Sequence, residues 1–119
     1  MKEKVKVLYI DDETLNRRIF EFNFRDYFDI RFAEDGIDGL DKLKEFSDVT
    51  HIISDYRMPK MSGLEFINEA KSLYPDKLFY LLSGFDITAE IREAIDNKTI
   101  SKYFQKPYNR EDIKSTILS

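Results

Sequence analysis

The residues most able to do chemistry are acidic, and they stand at the ends of apolar runs. Asp11 and Asp12 follow the run Val5 to Ile10, and Asp55 follows Thr50 to Ser54. Ser83, with Gly84 behind it, ends the run Leu78 to Leu82. Lys106, with Pro107 behind it, ends Ile100 to Gln105. If those runs are parallel strands, these groups share one rim of a sheet, the rim where open α/β sheets bind ligands. Carboxylates gathered there repel: two like charges ~4 Å apart cost on the order of 4 kcal/mol at a protein-surface dielectric. A hard cation relieves this, and oxygen ligands of this kind suit Mg²⁺, which often shares its site with phosphate oxygens. A nearby Lys and hydroxyl complete what phosphoryl transfer needs, and a carboxylate can itself be the nucleophile. Taken singly, an Asp at a strand end is most often a turn former or a helix cap. The combination, with each group closing a different strand, is what points to phosphoryl chemistry.

The elements that must position these groups are legible as an alternation. Val5 to Ile10, Asp29 to Ala33, Thr50 to Ser54, Leu78 to Leu82 and Ile100 to Gln105 read as strands. Between them lie helical spacings: Leu15, Ile19, Phe22 with Phe20, Phe24, Tyr27; then Ile37, Leu40, Leu43; Leu64, Ile67, Ala70; and Ile87, Ile91, Ile95. Asp35 is the expected cap of the second helix. Ser62-Gly63-Leu64-Glu65 is a capping box for the third, which Pro75 stops. Asn109 caps a last short helix with Ile113 and Ile117 inside. Strands alternating with helices imply a parallel sheet covered on both faces. The expected fold class is α/β, a three-layer α/β/α arrangement of β-α units, and the expected organisation is one domain over residues 1–119 with no second domain.

Composition narrows the function classes. The chain has 119 residues, 42% hydrophobic, with ten Phe and seven Tyr, enough apolar bulk for one core. A net charge of -4 argues against attraction to nucleic acid. The absence of cysteine excludes disulfides, thiolate zinc sites and cysteine nucleophiles, and fits a reducing compartment. Met1 to Lys6 has no signal-peptide core, and no apolar run approaches the ~20 residues needed to span a bilayer. The expected location is the cytoplasm, with no membrane partner.

The same residues form motifs that resemble the response-regulator receiver domains of two-component signalling. The motifs are Tyr9-Ile10-Asp11-Asp12-Glu13, Ser54-Asp55-Tyr56-Arg57-Met58-Pro59 with Ser62-Gly63, Leu82-Ser83-Gly84 and Tyr103-Phe104-Gln105-Lys106-Pro107. Glu34-Asp35-Gly36 is also typical of that family. The resemblance covers essentially the whole chain. It implies a flavodoxin-like (βα)5 fold with a five-stranded parallel sheet in the order 2-1-3-4-5. It implies Asp55 as phosphoacceptor, Asp12 as a direct Mg²⁺ ligand, Asp11 acting largely through water, and the main-chain carbonyl of Arg57 as a further ligand. Lys106 would pair with phosphoryl oxygens, and Ser83 would donate its hydroxyl to them. Tyr103 would be the switch aromatic, and the Lys106-Pro107 bond would be cis. The resemblance also implies that Arg57 and Phe85 occupy positions that influence how fast the phosphoryl group is lost. The implied partner is a sensor histidine kinase or phosphotransfer protein, or a small phosphodonor. The implied readout is a reshaped surface on the fourth helix, fifth strand and fifth helix, with room for a homodimer on phosphorylation. Such a domain catalyses steps on itself only.

Two other classes compete. A haloacid dehalogenase-type phosphohydrolase also uses an Asp nucleophile and a Lys, but its signature spaces two Asp residues by one, whereas Asp11 and Asp12 are adjacent and precede Glu13-Thr14. A receiver-like module that is never phosphorylated would not need every functional position filled. Other conspicuous residues read as structural: His51 lies at the start of the third strand, away from the carboxylates, Met58 and Met61 pack a loop, and Arg110 to Lys114 form a solvated face. The aromatic residues from Phe20 to Phe28 exceed what one helix face can bury, and the surplus marks a candidate partner surface.

Overall fold

The computed structural model describes residues 3–84 and 87–119, and strands and helices alternate throughout them. The strands are β1 (Val5–Ile10), β2 (Phe28–Ala33), β3 (His51–Asp55), β4 (Leu78–Ser83) and β5 (Lys102–Gln105). The helices are α1 (Thr14–Phe24), α2 (Gly36–Glu45), α3 (Gly63–Leu73), α4 (Ala89–Asp96) and α5 (Arg110–Leu118). The strands pair in parallel in the order β2-β1-β3-β4-β5, the flavodoxin-like order expected.

Strand side chains alternate between the two faces of a sheet. Leu8, Ile10, Ile52, Phe79 and Leu81 pack with Leu43 of α2, Phe66 and Ile67 of α3, and Ile91 of α4. Val7, Tyr9, Ile53, Tyr80, Leu82 and Phe104 pack with Phe20 and Phe24 of α1 and with Ile113 and Ile117 of α5. Both faces are therefore covered, which is why β4 is apolar at nearly every position. The crossovers change direction at β1 and β3, so the crevice beyond their C-terminal ends is the expected ligand site.

Local chemistry sets the helix starts. The Asp35 side chain accepts from the Asp38 N–H, and the Asn109 side chain accepts from the Asp112 N–H. Ser62 and Glu65 form the reciprocal capping box, at 3.1 and 2.9 Å. α4 differs from the expectation. Thr88 caps it by accepting from the Ile91 N–H, so Ile87 lies before the helix and is exposed rather than on its inner face. Ile37 also departs: it sits in the first turn of α2 and is exposed, while Leu43 is buried. On α1 the aromatic surplus resolves cleanly, with Phe20 and Phe24 buried and Leu15, Ile19 and Phe22 exposed. Met58 and Met61 pack against the core as expected. The charged residues of the Arg110 to Lys114 segment form a largely solvated face as expected: Arg110, Glu111 and Asp112 are exposed, Asp112 pairs at the surface with Lys102 at 2.7 Å, and the ammonium of the half-buried Lys114 lies 4.1 Å from the Tyr27 ring centre.

Candidate functional site

β1 delivers Asp11 and Asp12 just past its last residue, and Asp55 is the last residue of β3, its register neighbour. One carboxylate oxygen from each of the three lies within 4.8 Å of the others. Asp11 is fully buried, Asp55 is buried and Asp12 is exposed, so the group opens to solvent on the Asp12 side. Lys106, one residue past β5, reaches in. Its Nζ is 2.7 Å from Asp55 Oδ1 and 3.9 Å from Asp11 Oδ2. Ser83, the last residue of β4, and Arg57 complete a cleft of about 400 Å³ with Asp12, Asp55 and Lys106 in its walls.

The electrostatics of this cleft are unbalanced. Three carboxylates face one ammonium, a net charge of −2 from those four groups. Burial pushes the Asp55 carboxyl up; the hydrogen bond from Lys106 pulls it down, and Asp11 and Asp12 push it up again, so it ends above the ordinary carboxylate range. Burial works against the Lys106 charge as well, but its bond to Asp55 and the Asp11 charge outweigh burial and raise it above the usual lysine range. That asymmetry is what one cation among several carboxylates produces. The donor set consists of hard oxygens with uncompensated negative charge, and it fits a hard divalent ion.

Backbone packing holds Asp55 in place. A Cβ on Gly63, the first residue of α3, would lie 2.0 Å from the Asp55 carbonyl oxygen, and the Gly63 N–H donates to Tyr56 O at 2.7 Å. Only a residue without a side chain lets α3 approach the strand end so closely. The Ser54 hydroxyl donates to the Asp55 carbonyl at 3.0 Å.

A family model for the response regulator receiver domain matches residues 7–118. The chain belongs to that family. A chemotaxis protein CheY homolog of Campylobacter jejuni is 28% identical over 117 residues, covering 95% of this chain and 89% of the relative. The hydrogenase transcriptional regulatory protein HoxA of Bradyrhizobium diazoefficiens is 27% identical over 111 residues, covering 93% of this chain. The chain spans only 23% of that relative's length. Among solved structures, chemotaxis protein CheY4 of Vibrio cholerae is similar, with a TM-score of 0.85 at 26% identity and 97% coverage of each chain. Receiver domains are signalling modules of two-component systems, and this one carries their acidic cluster in Asp11, Asp12 and Asp55.

Every described residue expected at the receiver site lies on the same rim, except that Tyr103 stands within β5 and is half-buried against the α4 side of the core. The Lys106-Pro107 bond is cis. Phe85 lies outside the described residues. His51 sits at the opposite end of β3 from Asp55, its ring stacked on Tyr80 at 6.0 Å. Two residues at the receiver site carry more than the sequence reading assigned them. In the sequence Glu13 stands out only as part of a motif, yet its N–H donates to Asp11 Oδ1 at 3.0 Å. The same is true of Tyr9, yet its hydroxyl donates to Asp11 Oδ2 at 3.0 Å. The available signal for Tyr9 was its position two residues before Asp11 on one strand, which puts both on the same face. No helix among the described residues is long and apolar enough to cross a membrane.

Proposed function

We propose that this receiver domain, read as spanning residues 1–119, accepts a phosphoryl group on Asp55. The donor is a phosphohistidine on a sensor kinase or phosphotransfer protein, or a small acyl phosphate. The observation behind the reading is the meeting of Asp11, Asp12 and Asp55 within 4.8 Å beside Lys106. An Asp55 carboxylate oxygen attacks phosphorus, and the bond from phosphorus to the donor atom breaks; the imidazole nitrogen of a phosphohistidine, or the carboxylate oxygen of an acyl phosphate, keeps the electron pair and leaves. Water later cleaves the acyl phosphate, releasing inorganic phosphate and restoring the carboxylate. The chain acts on itself and not on an outside substrate.

Asp11, Asp12 and Asp55, with the main-chain carbonyl of Arg57, would hold Mg²⁺, Asp11 largely through water. The ion supplies charge neutralisation for the transferring phosphoryl group. Lys106 already sits against Asp55 and stays beside the new oxygens as a second positive charge. Ser83, at the neighbouring strand end, donates its hydroxyl to them. Its movement makes room for Tyr103, and the surface of α4, β5 and α5 changes shape. The modification shifts the two states only by its different contacts in each.

The test is a titration with BeF₃⁻, a phosphoryl mimic, in the presence of Mg²⁺, followed by NMR. Resonances around Asp55, Ser83 and Tyr103 should move together in the wild type and stay fixed in Asp55→Asn. A wild-type spectrum that does not respond at saturating Mg²⁺ overturns the reading.

A further inference from the structure

Tyr9 is a tyrosine where packing alone asks for phenylalanine. It is 1% exposed and belongs to the apolar layer under α1 and α5. Its ring lies flat on Phe20, with centroids 4.0 Å apart at 9°, and meets Phe32 edge-on at 6.4 Å. A buried tyrosine hydroxyl must find a partner or lose its hydration without return. Here the partner is Asp11, two residues on along the same strand face.

We propose that Tyr9 is a positioning residue for the acidic site: its hydroxyl fixes the Asp11 carboxylate and so sets the affinity for Mg²⁺. The inference rests on the functional reading above and deepens it. Asp11 is fully buried, so water does not orient its carboxylate from outside. Its two oxygens are instead fixed separately, Oδ1 by the Glu13 N–H and Oδ2 by Tyr9. Arg17 donates to the Asp11 main-chain carbonyl at 2.6 Å and fixes the backbone. Lys106 approaches Oδ2 only to 3.9 Å, beyond hydrogen-bond reach, so it cannot replace the hydroxyl in that role. The rings on either side of Tyr9 prevent it from swinging away, and the strand spacing brings its hydroxyl to Asp11. With both oxygens engaged from the protein side, the Asp11 carboxylate is held in one orientation beside Asp12 and Asp55, the arrangement that would hold the ion. Partners of metal-binding carboxylates act this way, and their loss typically weakens metal binding by roughly 10–100-fold.

The experiment compares wild type, Tyr9→Phe and Tyr80→Phe; Tyr80 is buried in the same layer but lies away from Asp11 on β4. The readouts are the half-saturating Mg²⁺ concentration and the rate of phosphorylation by acetyl phosphate at saturating Mg²⁺. Tyr9→Phe should raise the first by about tenfold and leave the second nearly unchanged. Tyr80→Phe should change neither. An unchanged Mg²⁺ requirement in Tyr9→Phe, or an equal change in Tyr80→Phe, overturns the inference while leaving the phosphorylation reading intact. A wild type without Mg²⁺-dependent phosphorylation sinks both. A measurement on the unaltered protein guards against a loosened core in the variant. The Tyr9 hydroxyl proton should shift on Mg²⁺ saturation, and a resonance that stays put also overturns the inference.

Discussion

At Asp55, burial and two carboxylate neighbours work against the charge that the proposed phosphoryl transfer requires. Such conflict is a stability cost carried for function. Asp55→Asn should therefore stabilise the metal-free protein, by about 1 kcal/mol. The amide still accepts from Lys106, and Asp11, 3.9 Å away, still balances the ammonium. Asp12→Asn should stabilise in the same direction but by less, because Asp12 is exposed and its repulsion is screened. Thermal melts in chelator decide it: if both variants melt below wild type, the carboxylates are not in conflict. His51 offers a separate test at the far end of β3. It is the chain's one histidine, and burial lowers its pKa below the ordinary 6.5. The folded state thus prefers the neutral ring. This contribution to stability is present above pH 6.5 and is lost as pH falls through the folded value. The ring-proton titration, unique in the spectrum, should have its midpoint below 6.5 with or without Mg²⁺. A midpoint at or above that value would show that the ring is not buried against Tyr80.

At the scale of elements, α3 matters most to the site, because its first turn presses on the strand that ends in Asp55. Gly63→Ala tests this. Ala is the better helix former by about 1 kcal/mol. Its Cβ would meet backbone 2.0 Å away, and backbone does not yield cheaply. The clash should win, destabilising by about 1–3 kcal/mol and slowing phosphorylation as Asp55 shifts. Gly84→Ala, with nothing within 4 Å of the added carbon, should stay within about 0.5 kcal/mol of wild type. Denaturant midpoints for the pair separate close approach from a general intolerance of glycine replacement. Gly63 was legible as part of a capping box and of a family motif; the distance that makes it necessary is set by tertiary packing. The same holds elsewhere. Asp35, Ser62 and Asn109 announced their helices because capping is local chemistry. Ile87 misled because it stands one turn before Ile91, and the periodicity does not show that Thr88 will cap between them. The end of α4 carries no glycine signal: Lys98 takes the left-handed conformation there, at φ 62°. The acidic residues were readable because each ends an apolar run. The Tyr9 hydroxyl was not, since an aromatic in a strand reads first as core.

Over the whole molecule, the site is a joint between strands rather than a property of any one. The carboxylates belong to β1 and β3, and the lysine follows β5 on the far side of β4. These strands lie between two apolar layers, so pulling their tips apart means breaking both layers. A ligand bound only when the tips are together must then stabilise the fold as a unit, by RT ln(1 + [L]/Kd). At Mg²⁺ a hundredfold above its Kd that is about 2.7 kcal/mol, or about 10 °C in Tm for a domain of this size. Hydrogen exchange distinguishes this from a local effect. If the joint is global, Mg²⁺ should slow exchange equally at the central amides of β1, β3 and β4, on both sides of the switch point, and Asp12→Asn should remove most of the gain. Protection confined to the residues around Asp12 and Asp55 would mean that the tips open independently of the layers. The metal would then order a rim without holding the sheet together.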